Sequence, residues 1–333
     1  MDILYGLVGG RTRWPRCYRN SRNTASYLEN NKMVGSPLRF SSLSDRYDCF
    51  SGSCVVCRSS LSGSSHRLAI LVHVRARHRL AIHLGRPVHP ATLRTVKSCN
   101  GTEAANERIA LLTTNVLVTN RNSDRLLEVI HQTSPDVVLA VEVDEWWTDH
   151  LWAGLRARYP NKICYPLSNG YGLAMFSRLE LIDPQIRFIL DDAIPSIRTE
   201  VKLRSGAAVS VYGVHPRPPA VQQDSTERDV ELLRVALEIK ERGSPAIVLG
   251  DLNDVAWSPT TLQFMKAGDL LDPRRGRGFY NTYPARWPGF RYPLDYIFCT
   301  RHFQICTMRV LPSFGSDHLP LVAELVLSGD YSH

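Results

Sequence analysis

Six separated places in this chain put an ionisable or amide side chain inside an apolar run or at its end. They are Asn115, Glu142, His215, Asp251 with Asn253, Asp295, and Ser316-Asp317-His318. The densest is Gly250-Asp251-Leu252-Asn253, which closes the run Ala246-Ile247-Val248-Leu249. Side chains of a strand alternate faces, so Asp251 and Asn253 at i, i+2 are expected to point the same way. A carboxylate and a carboxamide converging at a strand mouth can hold a hard cation or an oxyanion. Singly, each place has an ordinary explanation. Asn115 can be a satisfied core amide, Glu142 an acid at a helix N-terminus, His215 a loop histidine, Asp295 a strand-edge charge, and Asp317-His318 a turn. Together these require several independent coincidences, whereas ligands in α/β proteins gather at the carboxyl ends of strands.

The elements that must position these residues follow from the apolar pattern. Ile109 to Val118 reads as a core strand with Asn115 inside it, and Asp136 to Val141 as a second buried strand ending at Glu142. Between them a helix is expected from Ser123, with Leu126, Leu127 and Ile130 on one face and Pro135 beyond its end. A second helix carries Trp147, Leu151 and Leu155 at i, i+4, i+8. Two short strands flank the Asn169-Gly170 turn, and another spans Ile197 to Leu203. The strand Ala207 to Val214 runs into His215-Pro-Arg-Pro-Pro219, where the prolines must stop it. A helix from about Thr226 to Arg242 is expected to turn Val230, Leu233 and Leu237 inward. After the strand at Ala246 come a short helix near Thr260 to Ala267 and a Gly/Arg-rich loop. Strands at Leu294–Cys299, Phe303–Leu311 and Leu321–Leu327 end the pattern. Strands outnumber helices and hairpin-like neighbours sit beside βα units, which favours a mixed-sheet α/β or α+β domain.

Composition is that of a globular protein, 44% hydrophobic and 22% charged over 333 residues. The net charge of +8 is unevenly placed. Residues 1–100 hold 16 Lys and Arg against 4 Asp and Glu, a balance of +12, which leaves −4 for residues 101–333. Residues 1–107 are therefore expected to be a basic, poorly ordered N-terminal extension, Ser-, Arg- and Cys-rich between Arg39 and Ser65. Cys54-Val-Val-Cys57 has zinc-like spacing, but no second pair follows at the usual separation. Cys164, Cys299 and Cys306 lie in or beside apolar strands and read as small buried hydrophobes. The most apolar stretch, Leu68 to Leu84, is interrupted by Arg75, Arg77, His78 and Arg79. No signal-peptide pattern or membrane span is visible, so the cytoplasm is the default expectation, the exact location being open.

Asn115, Glu142 closing Pro-Asp-Val-Val-x-x-x-Glu, His215, Gly-Asp-x-Asn, Leu-Asp295-Tyr-Ile and Gly-Ser-Asp-His318-x-Pro occur in this order. In that order they resemble the endonuclease/exonuclease/phosphatase superfamily, over residues 108–329. The resemblance implies a four-layer sandwich of two mixed β-sheets flanked by helices. It also implies a metal-dependent phosphoesterase, nuclease or phosphatase, that hydrolyses its ester by water attack with a histidine general base. Glu142 would hold Mg²⁺ or Mn²⁺ with Asn115 beside it and Asp317 aiding; hard oxygens suit either ion. His318 would be the base, with Asp295 fixing its tautomer. Asp251 and Asn253 would position the water and the non-bridging oxygens, and His215 and Asp317 would serve the phosphate and nucleophile.

The substrate class stays open between nucleic acid, small phosphate and lipid-linked phosphate. The mildly acidic domain does not favour wide capture of duplex DNA. Arg274, Arg275, Arg277 and Arg291 alternate with Phe279, Tyr280, Tyr283, Trp287 and Phe290. That pattern fits a surface for phosphates and bases and fits equally a packed loop. No obligate protein partner is indicated, and a monomer is expected. The competing reading is a non-catalytic module that binds nucleic acid or a lipid surface through the basic extension.

Overall fold

The computed structural model describes residues 93–190, 192–218 and 226–328. The Cys54/Cys57 pair, the Leu68–Leu84 stretch and nearly all of the basic extension lie outside them. Eleven strands form two sheets, with four α-helices among the described residues. In chain order these are β1 (Arg108–Asn115), α1 (Ser123–Thr133), β2 (Val137–Val141), α2 (Glu145–Leu155), β3 (Asn161–Tyr165), β4 (Leu173–Ser177), β5 (Glu180–Phe188) and β6 (Pro195–Lys202). There follow β7 (Ala208–Val214), α3 (Thr226–Arg242), β8 (Ala246–Asp251), α4 (Pro259–Ala267), β9 (Asp295–Cys299), β10 (Phe303–Val310) and β11 (Leu321–Leu327). One sheet runs β10-β11-β1-β2-β4-β3 and the other β5-β6-β7-β8-β9.

Alternation along the strands builds the layers. Odd positions of β1 and β2 (Ile109, Leu111; Val137, Leu139, Val141) meet Val209, Val211, Ile247, Leu249 and Ile297 of the other sheet in one core. The even positions (Leu112; Val138, Ala140) face outward and are covered by Leu126 and Ile130 of α1 and Trp147, Leu151 and Leu155 of α2. On the far side Tyr212, Val248 and Phe298 are covered by Leu232, Val235, Ala236 and Ile239 of α3 and by Phe264 of α4. Strands buried on both faces read as continuous apolar runs because each parity packs on a different layer. The architecture is the four-layer α/β sandwich.

Two local expectations are corrected and one strand is added. In α3 the inward stripe is Leu232, Val235, Ala236 and Ile239, at i, i+3, i+4 and i+7, while Leu237 is 57% exposed. The helix carries two apolar rows, and the more continuous one faces the sheet. The alternation does not predict β5, which contains Pro184; β5 is an edge strand with a register shift between Ile182 and Gln185, where a proline is tolerated. Cys306 is not a buried hydrophobe but is bonded to Cys99, with Cα atoms 5.0 Å apart. It sits at a second register shift, between Ile305 and Thr307, beside an added bridge from Ser98 to Ile305. Val96, on the same segment, is fully buried in the inter-sheet core.

Candidate active site

The sheets are aligned so that their functional ends coincide. β1 and β2 run parallel with Asn115 opposite Val141, and β7 and β8 run parallel with Val214 opposite Gly250. The carboxyl ends therefore deliver Asn115 and Glu142 from one sheet, and His215 and Asp251 from the other. β9 is antiparallel to β8 and starts at this end, with Asp295 directly opposite Asp251. Gly250 lies against β7: a Cβ there would meet the Val214 carbonyl oxygen at 1.9 Å, and φ is +145°. Only glycine lets the two strands approach so closely just before Asp251.

The mouths of the two sheets are tied together. The Asn115 amide nitrogen donates to Glu142 Oε1 at 2.8 Å and to Asp251 Oδ2 at 3.1 Å. Its side-chain oxygen accepts from Leu117 N at 2.9 Å. Ser316 Oγ donates to the Asn115 main-chain oxygen at 2.8 Å and accepts from His318 N at 3.1 Å, so one hydroxyl links the amide wall to the histidine. His318 Nδ1 lies 2.9 Å from Asp295 Oδ2, and its Nε2 lies 3.6 Å from Asp251 Oδ2. Asp251, Asp295 and His318 are buried and form a group that could itself hold a metal ion.

Asn253 reaches the site by a different route from strand alternation. The strand ends at Asp251, whose Oδ1 accepts from Asn253 N at 2.8 Å, and Asn253 takes φ +53°. This is an Asx-type turn, which asparagine tolerates. The Asn253 amide nitrogen then donates to Pro216 O at 3.1 Å and lies 3.2 Å from His215 Nε2. Because that amide is a donor, Nε2 accepts and the His215 proton resides on Nδ1, which has no hydrogen-bond partner. Glu142 also has positive φ, +63°. Two site residues in the left-handed region mark backbone strain held by the surrounding fold.

The electrostatics divide the two histidines. Burial lowers the pKa of His215, so it is neutral at pH 7. Burial opposes charge on His318 too, but Asp295 and Asp251 outweigh it and raise its pKa to about 10. In the absence of a cation His318 is therefore an imidazolium between two carboxylates. Burial raises the pKa of Asp251, and burial, with a smaller contribution from the negative Asp317, raises that of Glu142. Glu142, Asp251, Asp295 and Asp317 thus all lie in the field of the His318 imidazolium, and Asp295 Oδ1 is buried with no hydrogen-bond partner. Hard oxygens in excess of positive charge fit a divalent ion.

Asn115, Glu142, His215, Asp251, Asn253, Asp295, Asp317 and His318 all lie at this end of the sandwich. Three further neighbours complete the surroundings: Tyr283 belongs to the Arg/aromatic pattern, whereas Tyr171 and Thr282 belong to no pattern singled out in the sequence. The Tyr283 ring lies 4.8 Å from the His318 ring, and the Tyr171 ring 5.8 Å from that of His215. Thr282 accepts from Asp295 N through Oγ1 at 3.4 Å and from Leu319 N through its carbonyl at 3.1 Å. These contacts span loops distant in sequence, and nothing in local spacing signals them. The Arg/aromatic loop resolves into two parts. Arg274 is buried against Asp272, Arg277 donates to the Val96, Pro273 and Ser98 oxygens, and Arg291 donates to Ala285 O. Trp287 and Phe290, 64% and 70% exposed, stand free at the tip.

The fold agrees with what comparison finds. The model of the Endonuclease/Exonuclease/phosphatase family matches residues 112–318, and the chain belongs to that family. Its members are divalent-metal-dependent hydrolases of phosphoesters. Among solved structures, the human Nocturnin catalytic domain with bound sulfate is 19% identical, with a TM-score of 0.56 over 68% of this chain and 97% of that one. A family protein from Bacteroides vulgatus is 20% identical, with a TM-score of 0.55 over 66% and 99%. At these identities the likeness is one of fold. No curated protein matches the chain. No helix of the described residues is long and apolar enough to cross a membrane.

Proposed function

We propose that this protein hydrolyses a phosphoester by attack of water, with His318 as general base. The observation that carries this reading is the Asp295–His318 hydrogen bond beside Asp251, set opposite the Asn115–Glu142 wall across the mouths of the two sheets. Asp295 holds the His318 Nδ1 proton, which directs Nε2 toward the Asp251 side of the cleft, where the water is placed. Asp251 and Asn253 orient that water and the non-bridging oxygens. His215, neutral and accepting at Nε2 from Asn253, would steady that amide beside the phosphate without bringing a second positive charge. Glu142, Asn115 and Asp317 would hold Mg²⁺ or Mn²⁺. When bound, the ion would neutralise the phosphate and the leaving group and draw the pKa of His318 down from about 10. Tyr171, Tyr283 and the exposed Trp287 and Phe290 offer ring faces to the rest of the substrate.

The test is Mg²⁺- or Mn²⁺-dependent hydrolysis of bis-p-nitrophenyl phosphate, followed by a panel of nucleic acid, small and lipid-linked phosphoesters. His318→Ala and Glu142→Ala should each abolish most of the rate. Rates within a few-fold of wild type in both would sink the mechanism.

A further inference from the structure

We propose that the buried Asp272–Arg274 ion pair is a positioning element that aims Asp295 at His318 and, through Tyr296, steadies the loop carrying Asn253. This rests on the hydrolytic reading above. Both side chains are buried, and the guanidinium grips the carboxylate as a fork. Nε lies 2.9 and 3.1 Å from the two Asp272 oxygens, and Nη2 lies 2.8 Å from Oδ2. Nη1 is left over, and it donates to the Asp295 main-chain oxygen at 3.4 Å. The same guanidinium lies over the Tyr296 ring, 4.0 Å from its centroid. The Tyr296 hydroxyl donates to the Asp254 main-chain oxygen at 2.7 Å, one residue past Asn253. One planar cation thus touches the first two residues of β9, and the second of these reaches the residue that follows Asn253.

Asp295 needs such support. Its side chain makes one hydrogen bond, to His318, and its Oδ1 has no partner. The direction of the carboxylate is therefore set by its backbone, held by Thr282 Oγ1 on the nitrogen and by Arg274 on the oxygen. A buried ion pair is a poor source of stability, because desolvation offsets most of its attraction and an apolar pair can replace it. What the pair supplies here is geometry. Lysine could match the charge but not the fork, the spare donor and the stacking together.

The test uses Arg274→Lys and the neutral double variant Asp272→Asn/Arg274→Met, in which the carboxamide introduced at position 272 can still accept from the main-chain nitrogen at position 274. Thermal melts establish that each is folded. On bis-p-nitrophenyl phosphate with Mg²⁺, the double variant should lose at least about tenfold in kcat, with KM and half-saturating Mg²⁺ unchanged within about twofold; a misplaced base slows the step, not the binding. The Arg274→Lys variant should fall between it and wild type. In the metal-free protein the hydrogen-bonded Nδ1 proton of His318, read by NMR, should broaden or vanish in the double variant. A folded double variant with kcat within twofold of wild type overturns the proposal. If the double variant does not fold, an unchanged kcat and Nδ1 signal in Arg274→Lys overturns it. If wild type shows the Nδ1 signal but no hydrolysis, the hydrolytic reading has failed, and the signal alone then decides whether the pair positions Asp295.

Discussion

Two buried clusters of charge lie close together in this molecule, and they are built on opposite rules. Around Arg274 every charge has its counterpart: one guanidinium, one carboxylate, a fork of hydrogen bonds and an aromatic face. Around His318, among the described residues, acids outnumber the cation: Asp251, Asp295, Glu142 and Asp317 all lie in the field of its imidazolium, and Asp295 Oδ1 has no partner. Burying charge without compensation is costly, so the second cluster persists only because the fold over-determines it. The difference teaches where chemistry resides: a satisfied pair holds shape, and an unsatisfied one is poised to bind what it lacks.

The sharpest way to break this contrast is to remove the unbalanced side. His318→Ala and Asp295→Asn should each lower kcat by about 10²- to 10⁴-fold, the usual worth of a positioned proton-transfer group. Initial rates at saturating Mg²⁺ measure this. Glu142→Gln should also abolish metal-dependent turnover while raising the Tm of the metal-free protein. The sign follows from its raised pKa: the ionised carboxylate is less favourable folded than unfolded, so above the unfolded value removing its charge stabilises. A lower Tm for Glu142→Gln contradicts the charge excess. On the balanced side the direction reverses. Asp272→Asn alone leaves Arg274 buried without its counter-ion and should cost about 3–5 kcal/mol in urea unfolding.

A smaller effect lies in the pH dependence of metal-free stability. The folded pKa of His318 is raised from 6.5 to about 10, so its contribution is fully present below pH 6.5 and is lost as pH rises through about 10. The stability difference between wild type and His318→Asn should narrow over that window. Least of all, Trp287→Ala and Phe290→Ala should leave stability within about 0.5 kcal/mol, since both rings are in solvent. Any change they cause in KM then reports contact with substrate.

Much of this was legible in the sequence because the strands that matter are buried on both faces. β1, β2 and β8 are near-continuous apolar runs, and Asn115, Glu142 and Asp251 stand out at their ends by violating the run. Pro184 hides β5, since an edge strand tolerates a residue that a central strand forbids. Leu237 misleads because α3 carries two apolar rows and only the sheet decides between them. The Cys99–Cys306 bond joins positions 207 residues apart, which no local pattern announces. Around the site, acids and histidines were visible as residue types. The Asx turn at Asn253, the Ser316 clasp and the Thr282 and Arg274 supports exist only once distant loops meet.

The most direct test of the central claim is anomalous diffraction from crystals soaked in Mn²⁺. The account predicts a peak bound by Glu142, with the His318 Nδ1–Asp295 hydrogen bond intact. A peak ligated instead by Asp251, Asp295 and His318 would contradict it, because His318 could not then serve as the base.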